Sequence, residues 1–344
     1  MKNTSVEKKR NYYISFFKLI ASFFVVFLHV IFPGAFGDVI QCFARFAVPL
    51  FFLISGYYAY EAGFSRILKR LKKQASLLLI SCAIYFLWNI VNCLFIRHEG
   101  LREYLLFVFS IRQIALFLLM DLNQFGFHLW FLSVMMKLYA VLYFYLIFKN
   151  DQFQYRTLYY AAVPAFIVYY IMGLGFNSIG LAADFYLIRN VLLLGFPLFT
   201  LGLFLHNYED ILIKRLSLNW KKLAALFVCG IILSFVEYFG IHPVEMPLGS
   251  MISAVSLLLL AEELFRAKSS FLNKLSFCAM DMEKMSLIIY IIHPLINYVI
   301  ASLNLFEGIS HRKMIIPPLV LLISFLISLL YCLGIRFLSR LHNK

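Results

Sequence analysis

Charged residues are scarce in this chain of 344 residues. They make up 14% of the sequence, against 63% hydrophobic residues, and the mean hydropathy is +0.86. A water-soluble core of this length could not bury so much apolar surface, so the composition excludes an ordinary soluble protein. The chain is predicted to be a polytopic membrane protein.

Several other features are missing. The six cysteines stand singly and mostly within apolar runs, which excludes a disulfide framework. The sequence has no metal-ligand cluster of recognisable spacing, no Gly-rich phosphate loop and no internal repeat. Because no loop exceeds about thirty residues, a soluble catalytic domain has no room. We therefore expect one integral membrane domain over residues 1–344, with its chemistry inside the membrane.

Ten apolar runs are long enough to cross a bilayer, which takes about 20 residues. They lie at about 14–32, 41–60, 74–96, 127–148, 157–174, 186–206, 222–239, 248–264, 285–303 and 315–338. An eleventh run, 104–120, is short and carries Arg112 in its middle. The prediction is an all-α polytopic transmembrane helical bundle of about ten spans plus one re-entrant or interfacial helix.

The positions of the basic residues predict the topology. With ten spans and a cytoplasmic N-terminus, most of the 31 Lys and Arg residues fall on the cytoplasmic side. Counting 104–120 as a full crossing would move many of them outside, so we place that run at the outer side. We expect a bacterial-type cytoplasmic membrane with both termini in the cytoplasm. The net charge of +14 then indicates membrane lipids as partners, and no nucleic acid.

The first span contains two ionisable side chains, Lys18 and His29. Eleven residues at about 100° each make three turns and a small remainder, so both groups lie on one face, separated by roughly 16 Å of rise. Such a pair predicts a cavity lined by protein. The alternative is that Lys18 snorkels to the headgroups and that His29, near the outer end, is an interfacial residue.

Other ionisable residues within the spans also need a reason, because a charge inside a bilayer costs at least a few kcal/mol. Arg45 and Arg189 each lie a few residues inside a span and require a carboxylate or an anionic ligand. Asp184 and Glu237 stand at compatible depths, and structural ion pairs are the alternative explanation. Lys137 has no acid at its own depth, which leaves snorkelling or a cavity open to the cytoplasm.

Five motifs occur in order along the chain. They are Lys18 and His29 with ten residues between them, Phe46-Ala-Val-Pro-Leu-Phe-Phe-Leu-Ile-Ser-Gly-Tyr57, His128-Leu-Trp-Phe-Leu132, Arg189 before Pro197-Leu-Phe-Thr-Leu-Gly202, and Ser286-Leu-Ile-Ile-Tyr-Ile-Ile-His293-Pro294. This pattern resembles acyltransferase family 3 of integral membrane proteins, from about residue 10 to residue 338. Within the family the chain is most similar to the membrane domain of vancomycin-resistance serine racemases, at Phe43-Ala-Arg-Phe-Ala-Val-Pro49, Arg189-Asn190 and Glu237. In those racemases a cytoplasmic racemase domain follows the membrane domain. The similarity therefore leaves a cytoplasmic racemase domain or partner open as an alternative.

The resemblance implies transfer of an acyl group, typically acetyl, from acetyl-CoA to a hydroxyl of a small molecule or cell-envelope glycan. Acetyl-CoA would be the acyl donor, and no metal is implied. His29 would be the catalytic base or a transient acyl carrier. The donor-binding residues would be Lys18, Ser55, Tyr290 and His293, with the Ser55 and Tyr290 hydroxyls as candidate oxyanion donors. The substrate-binding residues would be Arg45, His128, Asp184, Arg189 and Glu237.

Two other functions stay open at this point. One is uptake of L-serine, in which Arg45 or Arg189 binds the carboxylate and Asp184 or Glu237 the ammonium group. The other is a non-catalytic scaffold that binds lipid or polysaccharide, which would need neither Lys18 nor His29.

Overall fold

The computed structural model describes residues 11–97, 100–149, 155–175, 188–240, 246–267, 279–309 and 311–342. Every regular element in these ranges is helical. The helices are α1 (Tyr12–His29), α2 (Gly34–Ala44), α3 (Ala47–Tyr57), α4 (Phe64–Val91), α5 (Leu101–Val108), α6 (Ile111–Met120), α7 (Trp130–Phe148), α8 (Tyr155–Tyr170), α9 (Phe196–Arg215), α10 (Trp220–Gly240), α11 (Leu248–Arg266), α12 (Ala279–Ser302) and α13 (Arg312–His342). Some are extended by π-helical turns at Asn92–Arg97, Ile171–Gly175 and Val191–Gly195 and by a 3-10 turn at Phe127–Leu129.

In the described ranges, nine helices or joined helices are long and apolar enough to cross a bilayer. They correspond to nine of the ten predicted runs. The remaining run, 157–174, is α8 together with the π-helical turn that follows it. The predicted fold class, an all-α polytopic bundle, is confirmed.

Polar contacts show which helix ends lie at the same face of the bundle. Asn11, which caps the start of α1, donates to the Ala261 carbonyl (3.2 Å) and to Glu262 (3.0 Å) at the end of α11. Arg336, near the end of α13, pairs with Asp281 at the start of α12. We call the face that holds these contacts the basic face and the opposite one the far face.

A buried ionic network adds two more helix ends to the basic face. Glu209 of α9 is buried and accepts hydrogen bonds from the Tyr57 hydroxyl (2.6 Å) and from Arg266 (2.5 Å). Arg266 also pairs with Asp210 (2.5 Å). The ends of α3, α9 and α11 are thereby joined beside the start of α1.

The segment with α5 and α6 returns to the face that it leaves. Tyr85, near the end of α4, packs against His128 just before α7, with ring centroids 4.8 Å apart. Arg70, near the start of α4, interacts with Tyr139 further along α7. The two helices are therefore antiparallel neighbours, so the chain between them begins and ends at the far face. This connection contains α5 and α6, which are bent by 45° at the break between them, and it makes no full crossing, as predicted for 104–120.

The residue after α6 brings an acid to Lys137, so the prediction that Lys137 has no acid at its own depth was wrong. The Lys137 ammonium lies 2.6 Å from the carboxylate of Asp121, which is fully buried just after α6. It also donates to the Phe117 carbonyl (3.2 Å) and the Leu118 carbonyl (2.8 Å). Carbonyls in the last turn of a helix lack intrahelical partners and favour a cation. Lys137 therefore has an acidic partner, Asp121, which the segment that contains α5 and α6 places beside it.

Two glycines allow α3 and α9 to pack at close range. A Cβ atom on Gly56 would collide with the carbonyl oxygen of Phe199, and one on Gly202 with the carbonyl oxygen of Leu53. Close approach of backbones through small residues is a common way to associate membrane helices, since lipid provides no hydrophobic driving force. The contact orients α3 so that Ser55 lines the cavity described below.

We predict that Gly202→Ala destabilises the protein by roughly 1–3 kcal/mol, because the added methyl group overpacks the contact between α3 and α9. The measurement is the midpoint of thermal unfolding in detergent. Gly334→Ala is the matched control. A Cβ atom there meets nothing within 4 Å, and alanine is the better helix former, so its midpoint should stay or rise. Equal midpoints for the two variants would contradict the close contact.

Candidate active site

A cavity of about 730 Å³ lies among α1, α3, α4, α7 and α12. Lys18 and His29 both line it, as their spacing predicts. Because eleven residues of α1 separate them, the cavity extends about 16 Å along that helix. Its volume lies within the range of about 300–1,000 Å³ that is usual for small-molecule sites.

The end of the cavity toward the basic face is cationic. Four basic side chains line it there, namely Lys18, Arg70, Lys73 and Lys284. Among the described lining residues the carboxylate is Glu283, which accepts a hydrogen bond from the Ser15 hydroxyl (3.2 Å). The excess of positive charge suits an anionic ligand.

Sequence reasoning missed three of these cations, namely Arg70, Lys73 and Lys284. Arg70 and Lys73 precede the apolar run at 74–96, so the sequence predicts that they are charges of a cytoplasmic loop. In the structure α4 begins at Phe64, so one helix carries both side chains onto the cavity wall. The spacing of three residues between them, which places them on one helix face, is the signal that could have indicated this.

Three imidazoles meet at the opposite end of the cavity. The ring centroids of His29 and His293 are 5.3 Å apart, those of His29 and His128 are 6.2 Å apart, and those of His128 and His293 are 5.9 Å apart. His29, which is partly exposed, and His128, which is fully buried, both line the cavity, whereas His293 is fully buried and does not line it. No three His, Cys, Asp or Glu side chains in the described ranges could hold a metal ion.

The hydrogen bonds of these rings leave free nitrogen atoms inside the protein. Nδ1 of His293 lies 2.8 Å from the Ile289 carbonyl and must donate to it, because a carbonyl only accepts. Nε2 of His293 then carries a lone pair, and it is buried without a partner among the described residues. Both ring nitrogens of His128 are likewise buried without a hydrogen-bond partner among the described residues. Since unpaired buried polar atoms are costly, the cluster is suited to receive a polar ligand beside His29.

A proline next to His293 interrupts α12, and Tyr85 bridges the interruption. Pro294 has no N–H group, and its ring crowds the preceding turn. The Tyr85 hydroxyl donates to the Ile291 carbonyl (2.6 Å) and accepts from the Leu295 N–H group (3.1 Å). It thereby connects two backbone groups that a regular helix joins directly. The backbone that carries His293 is held in place by a side chain from α4.

The two hydroxyls predicted as oxyanion donors both line the cavity but bond to the backbone. Tyr290 donates to the His128 carbonyl (2.5 Å), and Ser55 donates to the Phe51 carbonyl (2.8 Å). In this arrangement Tyr290 helps to position His128, and Ser55 bonds within its own helix.

Of the predicted substrate-binding residues, Arg189 reaches the histidine cluster. Its guanidinium lies over the ring of Trp130, 5.9 Å from the centroid, and it interacts electrostatically with His29. Trp130 lines the cavity. Asp184, assigned to the same set, lies outside the described residues.

His128, also a member of that set, lines the cavity, whereas Glu237 and Arg45 are elsewhere. Glu237 accepts hydrogen bonds from the backbone N–H groups of Leu248 (3.2 Å) and Gly249 (2.9 Å), so it caps the start of α11. The Arg45 guanidinium lies over the ring of Tyr238 at 5.2 Å. Neither Glu237 nor Arg45 lines the cavity.

A protein-family model described as an acyltransferase domain matches residues 11–337. Neither a curated protein nor a solved structure matches the chain. The matched range contains every residue that lines the cavity.

We predict that Tyr85→Phe destabilises the protein by roughly 1–3 kcal/mol, because a buried carbonyl and a buried N–H group lose their shared partner. The matched control is Tyr298→Phe. The Tyr298 ring packs against Tyr85 at 6.2 Å, but its hydroxyl has no hydrogen bond to another described residue. The two variants are compared by thermal unfolding in detergent. Tyr85→Phe as stable as Tyr298→Phe would rule out the bridge.

Proposed function

The chain belongs to the acyltransferase family whose domain model covers residues 11–337, and from that premise we propose that it moves an acyl group from acyl-CoA to a hydroxyl acceptor. It is a multi-pass membrane enzyme that transfers groups other than amino-acyl groups. The observation that carries the proposal is one cavity with cations at one end and a histidine cluster at the other.

The cationic end of the cavity suits the phosphates of coenzyme A. Arg70 and Lys73 project from the first turns of α4, and Lys284 from the start of α12. Arginine and lysine are the usual partners of phosphate oxygens. The excess of Lys and Arg at the basic face supports a cytoplasmic position for it, where acyl-CoA is available.

The middle of the cavity suits the arm that carries the thioester. Its wall there includes Phe131, Leu132 and Met135 of α7. An extended, mostly uncharged arm entering from the basic face would bring the acyl group past these residues toward His29. Acetyl is the acyl group that we propose, as in the sequence-based prediction.

His29 is the base that we assign to the reaction. Its imidazole nitrogen takes the proton of the acceptor hydroxyl while the oxygen attacks the thioester carbonyl carbon. The C–O bond forms, the C–S bond breaks, and the departing thiolate takes the proton from the imidazolium. The products are an ester and free coenzyme A, and the imidazole returns to its neutral form.

Two neighbouring features support this chemistry. Arg189, over the Trp130 ring that lines the cavity, provides positive charge that acts on His29 and would stabilise the oxyanion of the tetrahedral intermediate. The unpaired nitrogens of His128 and His293 offer hydrogen-bond partners for further hydroxyls of the acceptor. A small molecule or a glycan with several hydroxyls at the far face is the acceptor class that we propose.

The rival function, L-serine uptake, follows from the narrower resemblance to serine racemase membrane domains. It requires a carboxylate to hold the ammonium group of serine. Glu237 bonds to the start of α11 with both of its oxygens and does not line the cavity, so it does not provide that group. Asp184, the other candidate for that role, lies outside the described residues, and the family match supports acyl transfer.

We predict that His29→Asn lowers the rate of acyl transfer by about 10²–10⁴-fold, the usual contribution of a general base. The assay follows release of the coenzyme A thiol and transfer of label from acetyl-CoA to membrane or envelope material. His311→Asn, at an exposed position, should retain the parent rate. Full activity in His29→Asn, or accumulation of labelled L-serine in proteoliposomes without an acyl donor, would overturn the proposed function.

A second prediction concerns the donor end. Lys73→Gln should raise the KM for acetyl-CoA several-fold with little change in kcat, because it removes a charge that contacts the phosphates and not the reacting atoms. Hydrolysis of acetyl-CoA, with water as acceptor, gives both constants. Lys72→Gln is the matched control, since Lys72 is exposed on the same helix and does not line the cavity. The same KM in both variants would place the phosphates elsewhere.

A further inference from the structure

The Asp121–Lys137 ion pair is not used by the proposed chemistry, yet its contacts lead to the active site. One oxygen of Asp121 accepts from the Ser133 hydroxyl on α7 (2.7 Å). The other accepts from the backbone N–H group of Val191 (3.0 Å), which begins the π-helical turn before α9. A single buried carboxylate therefore joins the end of α6, α7 and the start of the next span.

The start of that span is held at three consecutive backbone groups. The first N–H groups of any helix have no partner within the helix. Here Asp121 accepts from Val191, and the Asn190 side chain accepts from both Leu192 and Leu193 at 2.9 Å. The place where the chain enters the span is thus determined by hydrogen bonds to the three N–H groups that follow Asn190.

Arg189 lies two residues before this anchor. Its guanidinium lies over Trp130, which is one helical turn before Ser133 on α7. The same stretch of α7 therefore holds both the ring under Arg189 and a partner of Asp121. Arg189 in turn interacts with His29.

We propose that Asp121 is a positioning residue that holds Arg189 over Trp130 and beside His29. Its role in catalysis rests on the proposed function, whereas its role in geometry does not. Lys137 supplies the counter-charge that allows a carboxylate to remain fully buried at this position.

The geometric test uses Trp130 as a fluorescent reporter. The sequence has three tryptophans, so the Trp88→Phe/Trp220→Phe background leaves Trp130 alone. In that background Arg189→Ala should change the quantum yield and emission maximum, because the cation leaves the ring. Asp121→Gly/Lys137→Met should produce the same change, and adding Arg189→Ala to it should produce no further one. Glycine suits the left-handed φ of 60° at Asp121, and the pair removes both charges together.

Two controls separate the hydrogen bond from general damage. Asp121→Asn/Lys137→Met keeps an oxygen that can accept from Val191 and should retain the parent emission. Asp281→Asn removes the carboxylate that pairs with Arg336 at the basic face and should also leave Trp130 unchanged. Parent-like emission in Asp121→Gly/Lys137→Met, or a change in it that adds to that of Arg189→Ala, would overturn the proposal.

The catalytic consequence is tested with labelled acetyl-CoA. Asp121→Gly/Lys137→Met should lower kcat/KM by about 10–100-fold, the order of loss expected for a displaced active-site group. In an Arg189→Ala background the same change should have little further effect, because it acts through Arg189. An equal further loss in both backgrounds would show a merely structural role. If His29→Asn were fully active but the fluorescence coupling held, acyl transfer by His29 would fail while the position of Arg189 would stand.

Discussion

The main constraint on this protein is that hydrocarbon offers no partner to a polar group, so each one within the bundle must find its partner in the protein. Two sites show this in its complete form. Glu209 is saturated by Tyr57 and Arg266, and Asp121 by Lys137 and two further donors. The histidine cluster differs, because buried ring nitrogens there have no partner within the described ranges. A polar ligand in the cavity would supply a partner to the His128 ring, which lines it.

Local features of the sequence were enough to predict most of the fold. The apolar runs located the spans, and the shared face of Lys18 and His29 followed from helical periodicity alone. The distribution of basic residues predicted that the segment with α5 and α6 does not cross the bilayer. Lys137 could not be understood in this way, because its partner lies on a segment whose path depends on packing against α7. Glu237 was misleading for a similar reason, since its carboxylate caps a helix.

The candidate site required knowledge of how helices are rotated against each other. His29, His128 and His293 come from three separate segments, and their meeting depends on the orientation of each one. For α12 that orientation involves the interruption at Pro294, which Tyr85 of α4 bridges. Nothing in the sequence around position 85 indicates this role. Contacts between distant segments thus define the candidate site, even where the single residues were named from the sequence.

A transferase whose donor and acceptor are on opposite sides of a membrane must bring the reacting groups together across hydrocarbon. On the proposed function, the two ends of the cavity receive the donor and the acceptor separately. Moving a highly charged donor through hydrocarbon would be very costly. On the proposed function, cations at the basic face and a histidine cluster deeper along α1 remove that need, since the phosphates would stay near water while the reactive end of the donor would reach about 16 Å further. On the proposed function, the acyl group alone crosses. The length of α1 between Lys18 and His29 then sets how far it travels before it meets the acceptor.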